Sequence, residues 1–180
     1  HLLYDMELSI VHLDGAVYYK KEEVLPPLII HHNIYHQIDK TWSAYRSNPV
    51  KPESLIIQLY GREGIGKHFL IRNLAKQHKS DLIFYDITNL VQIGKKGRMD
   101  KLYKLSALAK LSGAMVCLLI TKQSEEENDI NIIKTILQSA EQEIKYYFLI
   151  SMEDSEGYPS RCNNVISLEV SMLSSSEKII

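Results

Sequence analysis

Leu55-Ile56-Ile57-Gln58-Leu59-Tyr60-Gly61-Arg62-Glu63-Gly64-Ile65-Gly66-Lys67-His68-Phe69-Leu70 is the stretch that decides the fold. An apolar run of strand type leads into a glycine-rich turn, a lysine and an amphipathic segment, the order a phosphate-binding loop needs. Gly61, Gly64 and Gly66 let the backbone turn so that successive N–H groups face phosphate oxygens. Lys67 stands where its ammonium reaches the β- and γ-phosphates, and the helix that follows offers the partial positive charge of its N-terminus to the same anion. Arg62, Glu63, Ile65, His68 and Phe69 complete the set expected around bound ATP or ADP. The full pattern has Ser or Thr after the lysine to hold Mg²⁺; here His68 stands there, so the use of Mg²⁺ stays open. The plainer alternative is a strand-to-helix turn that needs its glycines for geometry alone.

Outward from this loop, apolar runs alternate with amphipathic stretches. Strands are predicted over 55–60, 82–87, 114–120, 145–151 and 164–170, and helices over 33–47, 66–79, 99–112 and 129–143. Ser174 and Glu177 read as a capping box opening one more helix. Alternation of this kind means βαβ units and a parallel sheet covered on both faces, with the loop at the carboxyl edge of the strands, where ligands bind. Residues 1–32 differ in character. Leu2, Leu3, Met6, Leu8, Ile10, Val11 and Leu13 form an apolar segment, Asp14 is placed to cap a short helix at Ala16-Val17-Tyr18-Tyr19, and Pro26-Pro27 breaks it. These residues are expected to be a helical lead-in or a remnant of a preceding domain, and 33–180 the main domain.

A chain of 180 residues with 45% hydrophobic and 24% charged content suits one ordinary globular core. With 21 basic and 22 acidic residues the formal net charge is -1, which gives no net basic field for nucleic acid or acidic lipid. No apolar stretch approaches the roughly 18 residues of a membrane span. Cys117 and Cys162 make neither a disulfide framework nor a metal cluster, and a cytoplasmic setting fits them. His31, His32 and His36 have no carboxylate or cysteine at ligand spacing and are read as non-metal residues. The chain opens on His1 and closes on Lys178-Ile179-Ile180, and is read as a piece of a longer protein.

With the loop 61–67, strand 82–87, a short helical turn, a glycine-containing loop, a helix and strand 114–120, residues 50–180 resemble the αβα subdomain of the AAA+ ATPases. Within that group the chain is similar to bacterial members of undefined role that carry a small helical or winged-helix segment in front. The resemblance implies a P-loop NTPase-like three-layer αβα sandwich with a five-stranded parallel sheet, a short helical N-terminal segment and no C-terminal lid. It places a sensor on Ser151 or Glu153, an arginine finger on Arg161, and a pore-lining loop on Ile93-Gly94-Lys95-Lys96-Gly97; the pore role would need a ring of subunits. It also places the metal-orienting Asp and water-activating Glu of the Walker B pair at the end of strand 114–120, where this chain has Thr121 and Lys122. Lysine is no general base unless its pKa falls several units. Glu125, Glu126 and Glu127 read as a solvated acidic face, while Asp86 ends the neighbouring strand.

The function expected from this is an ATP-binding module of a larger ATPase-like protein with weak or absent hydrolysis. The alternatives are an ATPase that uses non-standard acids and a nucleotide-free interaction domain. Expected partners are nucleotide, further copies of the chain or other domains of the same polypeptide, with no nucleic acid and no membrane.

Overall fold

The computed structural model describes residues 13–48, 50, 54–122, 124–153 and 164–172. Its elements in chain order are β1 (Ala16–Tyr19), α1 (His32–Ser47), β2 (Leu55–Tyr60), α2 (Lys67–Gln77), β3 (Leu82–Asp86), a 3₁₀ turn (Ile87–Leu90), α3 (Lys95–Ser112), β4 (Met115–Leu119), α4 (Glu127–Glu143), β5 (Tyr146–Ser151) and β6 (Val165–Glu169). The six strands form one sheet in the order β1-β3-β4-β5-β2-β6. All neighbouring pairs are parallel except β1 with β3. β2 lies between β5 and the edge strand β6, and the later strands are added first on its β5 side and last, with β6, on the other. A crevice at the carboxyl edge follows from that reversal of strand order.

Side chains alternate across the strands and build a core on each face. Leu55, Ile57 and Leu59 of β2 join Ile38 and Trp42 of α1 and Leu70, Ile71 and Leu74 of α2. Ile56 points the other way, into a cluster with Leu102 and Leu105 of α3 and Ile133, Ile136 and Ala140 of α4. The result is three layers, α1 and α2 on one face and α3 and α4 on the other. Among the described residues no helix is long and apolar enough to cross a membrane.

α1 is integral to this core. Ile38 is 1% exposed, and the Trp42 ring lies 4.8 Å from that of Phe148. Trimming one methylene there, Ile38→Val, is expected to cost about 1 kcal/mol, read as a lower urea midpoint with an unchanged denaturant slope.

Two local expectations are corrected. The helix expected at 16–19 is the strand β1, paired from Ala16 with Tyr85 to Tyr19 with Leu82. Asp14 sits in the turn before it and caps nothing helical. The free edge of β3 supplies the ladder that a four-residue segment cannot supply for itself, and Asp81 anchors the exit, accepting from Tyr18 Oη at 3.0 Å and the Lys21 N–H at 2.8 Å. The sheet thus has a sixth strand besides the five parallel ones.

Of the loop expected at Ile93-Gly94-Lys95-Lys96-Gly97, the part from Lys95 on is instead the first turn of α3, with Gly94 at its N-cap. Arg98 folds back so that its Nε donates to the carbonyls of Ile93 at 2.6 Å and Leu90 at 3.2 Å, satisfying oxygens at the end of the 3₁₀ turn. A Cβ at Gly97 would lie 2.6 Å from Ile93 Cγ2, so a larger residue there would have to displace the Ile93 side chain. The position that the resemblance gives to a pore-lining loop is therefore the N-terminal end of a helix. The predicted capping box at Ser174 and Glu177 lies outside the described residues.

Candidate functional site

Between β2 and α2, Gly61, Gly64 and Gly66 have φ of 141°, 74° and 107°. At Gly61 no other residue fits: its backbone conformation disfavours a side chain, and a Cβ would collide with the Val170 carbonyl oxygen. Tyr60 accepts from the Val170 N–H at 2.8 Å, so the loop leaves the sheet where β6 presses closest.

Lys67 opens α2 and is buried, at 5% exposure. Its Nζ donates to the Gly61 carbonyl and, at 2.7 Å, to that of Arg62, so the ammonium sits inside the turn of the loop. Burial holds its pKa below the ordinary lysine value, with Glu63 pulling partly the other way. His68 is next, its ring centroid 5.0 Å from that of Phe84. Desolvation and then the neighbouring Lys67 lower its pKa, again against Glu63. A neutral imidazole beside a buried ammonium is a hydrogen-bonding group, not a replacement for the hydroxyl that holds Mg²⁺ in the full motif.

The loop borders a cavity of about 400 Å³ lined by Gly64, Lys67, His68, Phe69, Thr121 and Ser151 among others. A second cavity, of about 390 Å³, adjoins it on the side of Gly61, Arg62, Ile65 and Met172. Both are of a size for small ligands. The strand-end residues expected to act here are largely committed to one another. Thr121 donates its hydroxyl proton to Asp86 Oδ2 at 2.6 Å, and Asp86 Oδ1 accepts from the Thr88 N–H at 3.0 Å and from the Thr88 hydroxyl. Asp86 therefore stands behind Thr121, and Lys122 is exposed. Ser151 donates to the Glu153 carbonyl at 2.6 Å and accepts from Gln58 Nε2 at 2.8 Å. Glu125 and Glu126 are exposed ahead of α4, and Glu127 begins that helix. Arg161 lies outside the described residues. Among the described residues no group of three or more His, Cys, Asp and Glu is placed to hold a metal ion.

Of two further participants, Gln58 was not singled out from the sequence and His31 was read there only as a non-metal residue. Gln58 is fully buried and linked to Ser151 and Ser167; its signal was visible, a lone amide in an otherwise apolar strand. His31, on the lead-in to α1, bonds the Ile65 carbonyl at 2.9 Å. Nothing in the local sequence announces that contact, because α1 alone brings residues 31 and 65 together.

No family model matches the sequence, and no curated protein matches it. Solved structures do. A katanin structure described for its self-assembly superposes with a TM-score of 0.56 at 11% identity, over 92% of this chain and 59% of that one. Caenorhabditis elegans PCH-2 gives 0.59 at 16%, over 88% and 50%. The fold is that of the AAA+ ATPases. A chain of the Escherichia coli MS115-1 HORMA:CdnC:Trip13 complex agrees, with 0.53 at 16% over 86% and 67%. The present chain spans 59% and 50% of the first two AAA+ structures. Identities this low establish the fold and leave the activity to the site itself.

The fit of the groups that such a fold holds differs from one to the next. The loop, with its positive-φ glycines, buried ammonium and helix N-terminus, fits a phosphate chain. The position for Mg²⁺ does not fit: it has an imidazole where a hydroxyl belongs and, at the end of β4, a threonine whose proton is already given to Asp86.

Proposed function

We propose that this chain is a nucleotide-binding module of AAA+ type, part of a larger ATPase-like protein, with weak or absent hydrolysis of its own. The observation that carries the reading is the pairing of a loop of positive-φ glycines, closed by the buried Lys67, with a β4 end that is followed by Thr121 and Lys122 and no carboxylate. Gly61 to Lys67 would hold the phosphates of ATP or ADP, with His68 and Phe69 beside them. Phosphoryl transfer depends mainly on positioning and on charges aimed at the reacting oxygens. Loss of both strand-end acids and of the loop hydroxyl removes several of those contributions together. Nucleotide then serves as a structural or switching ligand, and any turnover comes from a partner chain or another domain.

One observation favours a second reading, an ATPase using a non-standard acid: Asp86 lies one hydroxyl away from the cavity, behind Thr121. Self-association is the partner reading this fold supports, as katanin is a self-assembling protein, with other domains of the same polypeptide as the alternative. A cytoplasmic setting is consistent with Cys117, a buried thiol whose pKa burial raises well above the ordinary value.

The metal position supplies a test. Where Mg²⁺ bridges nucleotide and protein, a chelator weakens binding strongly. Here ATP affinity, measured by titration with and without EDTA, is expected to change by less than about threefold, under 1 kcal/mol. A tenfold loss on chelation would show that a metal is held after all, and would point to Asp86 and Thr121.

A further inference from the structure

We propose that His31 is the positioning residue of the phosphate loop: its ring fixes the Ile65–Gly66 peptide so that the Gly66 N–H is turned toward the anion. The inference rests on the phosphate-binding reading and goes beyond it by assigning this task to a residue outside the loop. The Ile65 carbonyl accepts, so the bonding Nε2, at 2.9 Å, must carry the ring proton. Peptide units are planar and trans, and none here is cis, so the C=O and N–H of one unit point in opposite directions. Holding the Ile65 oxygen on the His31 side therefore directs the Gly66 N–H to the other side. That is where a phosphate-binding loop needs its donors.

Three further observations converge. His31 is buried, at 7% exposure, so water competes little for the bond. Its ring packs on Gly66, where a Cβ would stand 3.7 Å from His31 Cδ2. Its backbone lies in the left-handed region, φ 61° and ψ 31°, which a non-glycine residue keeps only where its surroundings over-determine it.

The brace is anchored as well. The His31 carbonyl accepts the Tyr35 N–H at 2.9 Å, opening α1. α1 is then fixed by Ile38 and Trp42 in the core and by His78 on Asp39 at 2.7 Å. His78 caps the end of α2, the helix that starts at Lys67. α1 thus grips the far end of α2 through Asp39 and the loop before it through His31.

Amide hydrogen exchange of the ligand-free chain tests the role. His31→Gly relieves the backbone conformation but removes the donor, whereas His31→Gln keeps a donor of similar reach. Exchange at residues 64–67 is expected to rise about tenfold in His31→Gly, the size of one lost hydrogen bond in a local opening. It should return toward wild type in His31→Gln, with β2 and β5 unchanged in both. A residue that merely starts α1 would alter the first turn of that helix and leave the loop alone; unchanged exchange at 64–67 overturns the proposal. Should His31→Gly fail to fold, the wild-type ring still decides by NMR: a proton on Nε2 is the expected result, and a neutral ring protonated on Nδ1 contradicts it. Binding of ATP is scored separately. A wild type that binds ATP while its loop ignores His31 overturns this proposal alone. A wild type that binds no ATP while its loop depends on His31 overturns the nucleotide reading and supports the role given to His31.

Discussion

Lys67→Ala is expected to erase the thermal stabilisation that ATP gives the wild-type chain. At a hundred times its dissociation constant a ligand stabilises the folded state by about 2.7 kcal/mol, which in a chain of this size raises the melting temperature by about 5–10 °C. Lys67 is the cation this response depends on. It is buried at the first position of α2, and its ammonium is held inside the loop by the Gly61 and Arg62 carbonyls. Burial lowers the pKa of this ammonium even with Glu63 acting the other way, and a phosphate chain would add negative charge beside it. Alanine removes the charge and leaves the fold's core contacts in place, so the variant should melt near the wild type without ligand and fail to respond to ATP. A variant that keeps the full shift would put the nucleotide somewhere other than this loop.

Gly61→Ala should be the most damaging single change in the loop itself. The residue has φ of 141°, and the added methyl would run into the Val170 carbonyl, a backbone atom that cannot step aside as a side chain would. Val170 is also bonded to Tyr60, so relief requires moving the end of β6 away from β2. Backbone strain and overpacking together are expected to cost about 3 kcal/mol. Gly64→Ala is the internal comparison. Its φ of 74° is also unfavourable, but no atom lies within 4 Å of the added methyl, and the cost should stay near 1 kcal/mol. Urea denaturation of the two variants reads the difference directly; equal midpoints would mean that β6 does not confine the loop as described.

These effects trace back to how the sequence encodes the fold. β2 to β5 were legible because each is a nearly unbroken apolar run, as strands covered on both faces must be. α1, α2 and α4 were legible from apolar residues at helical spacing, such as Ile34, Ile38 and Trp42. The turn between β2 and α2 was legible because the glycines that take positive φ there, Gly61, Gly64 and Gly66, stand in the sequence itself.

What escaped is what the third dimension decides. Val17, Tyr18 and Tyr19 are types that favour strands, but four residues make a strand only on the open edge of β3, which the local sequence does not show. Gly94 and Gly97 suggested a loop, yet Arg98 returning to the Leu90 and Ile93 carbonyls winds the segment into α3. At the site, Thr121 and Lys122 at the end of β4 could be read from sequence, whereas the closing of Thr121 onto Asp86 needed the neighbourhood of β3 and β4. His31 was the hardest to foresee, since a histidine among three in a short stretch carries no mark of the loop it touches.

Binding without turnover is tested by mixing the wild-type chain with saturating ATP and Mg²⁺ and following bound nucleotide and released phosphate in the same sample. About one nucleotide per chain and phosphate release barely above background are expected. Phosphate released at about 1 per second or faster, within the range of ordinary enzymes, would contradict it, and so would the absence of bound nucleotide.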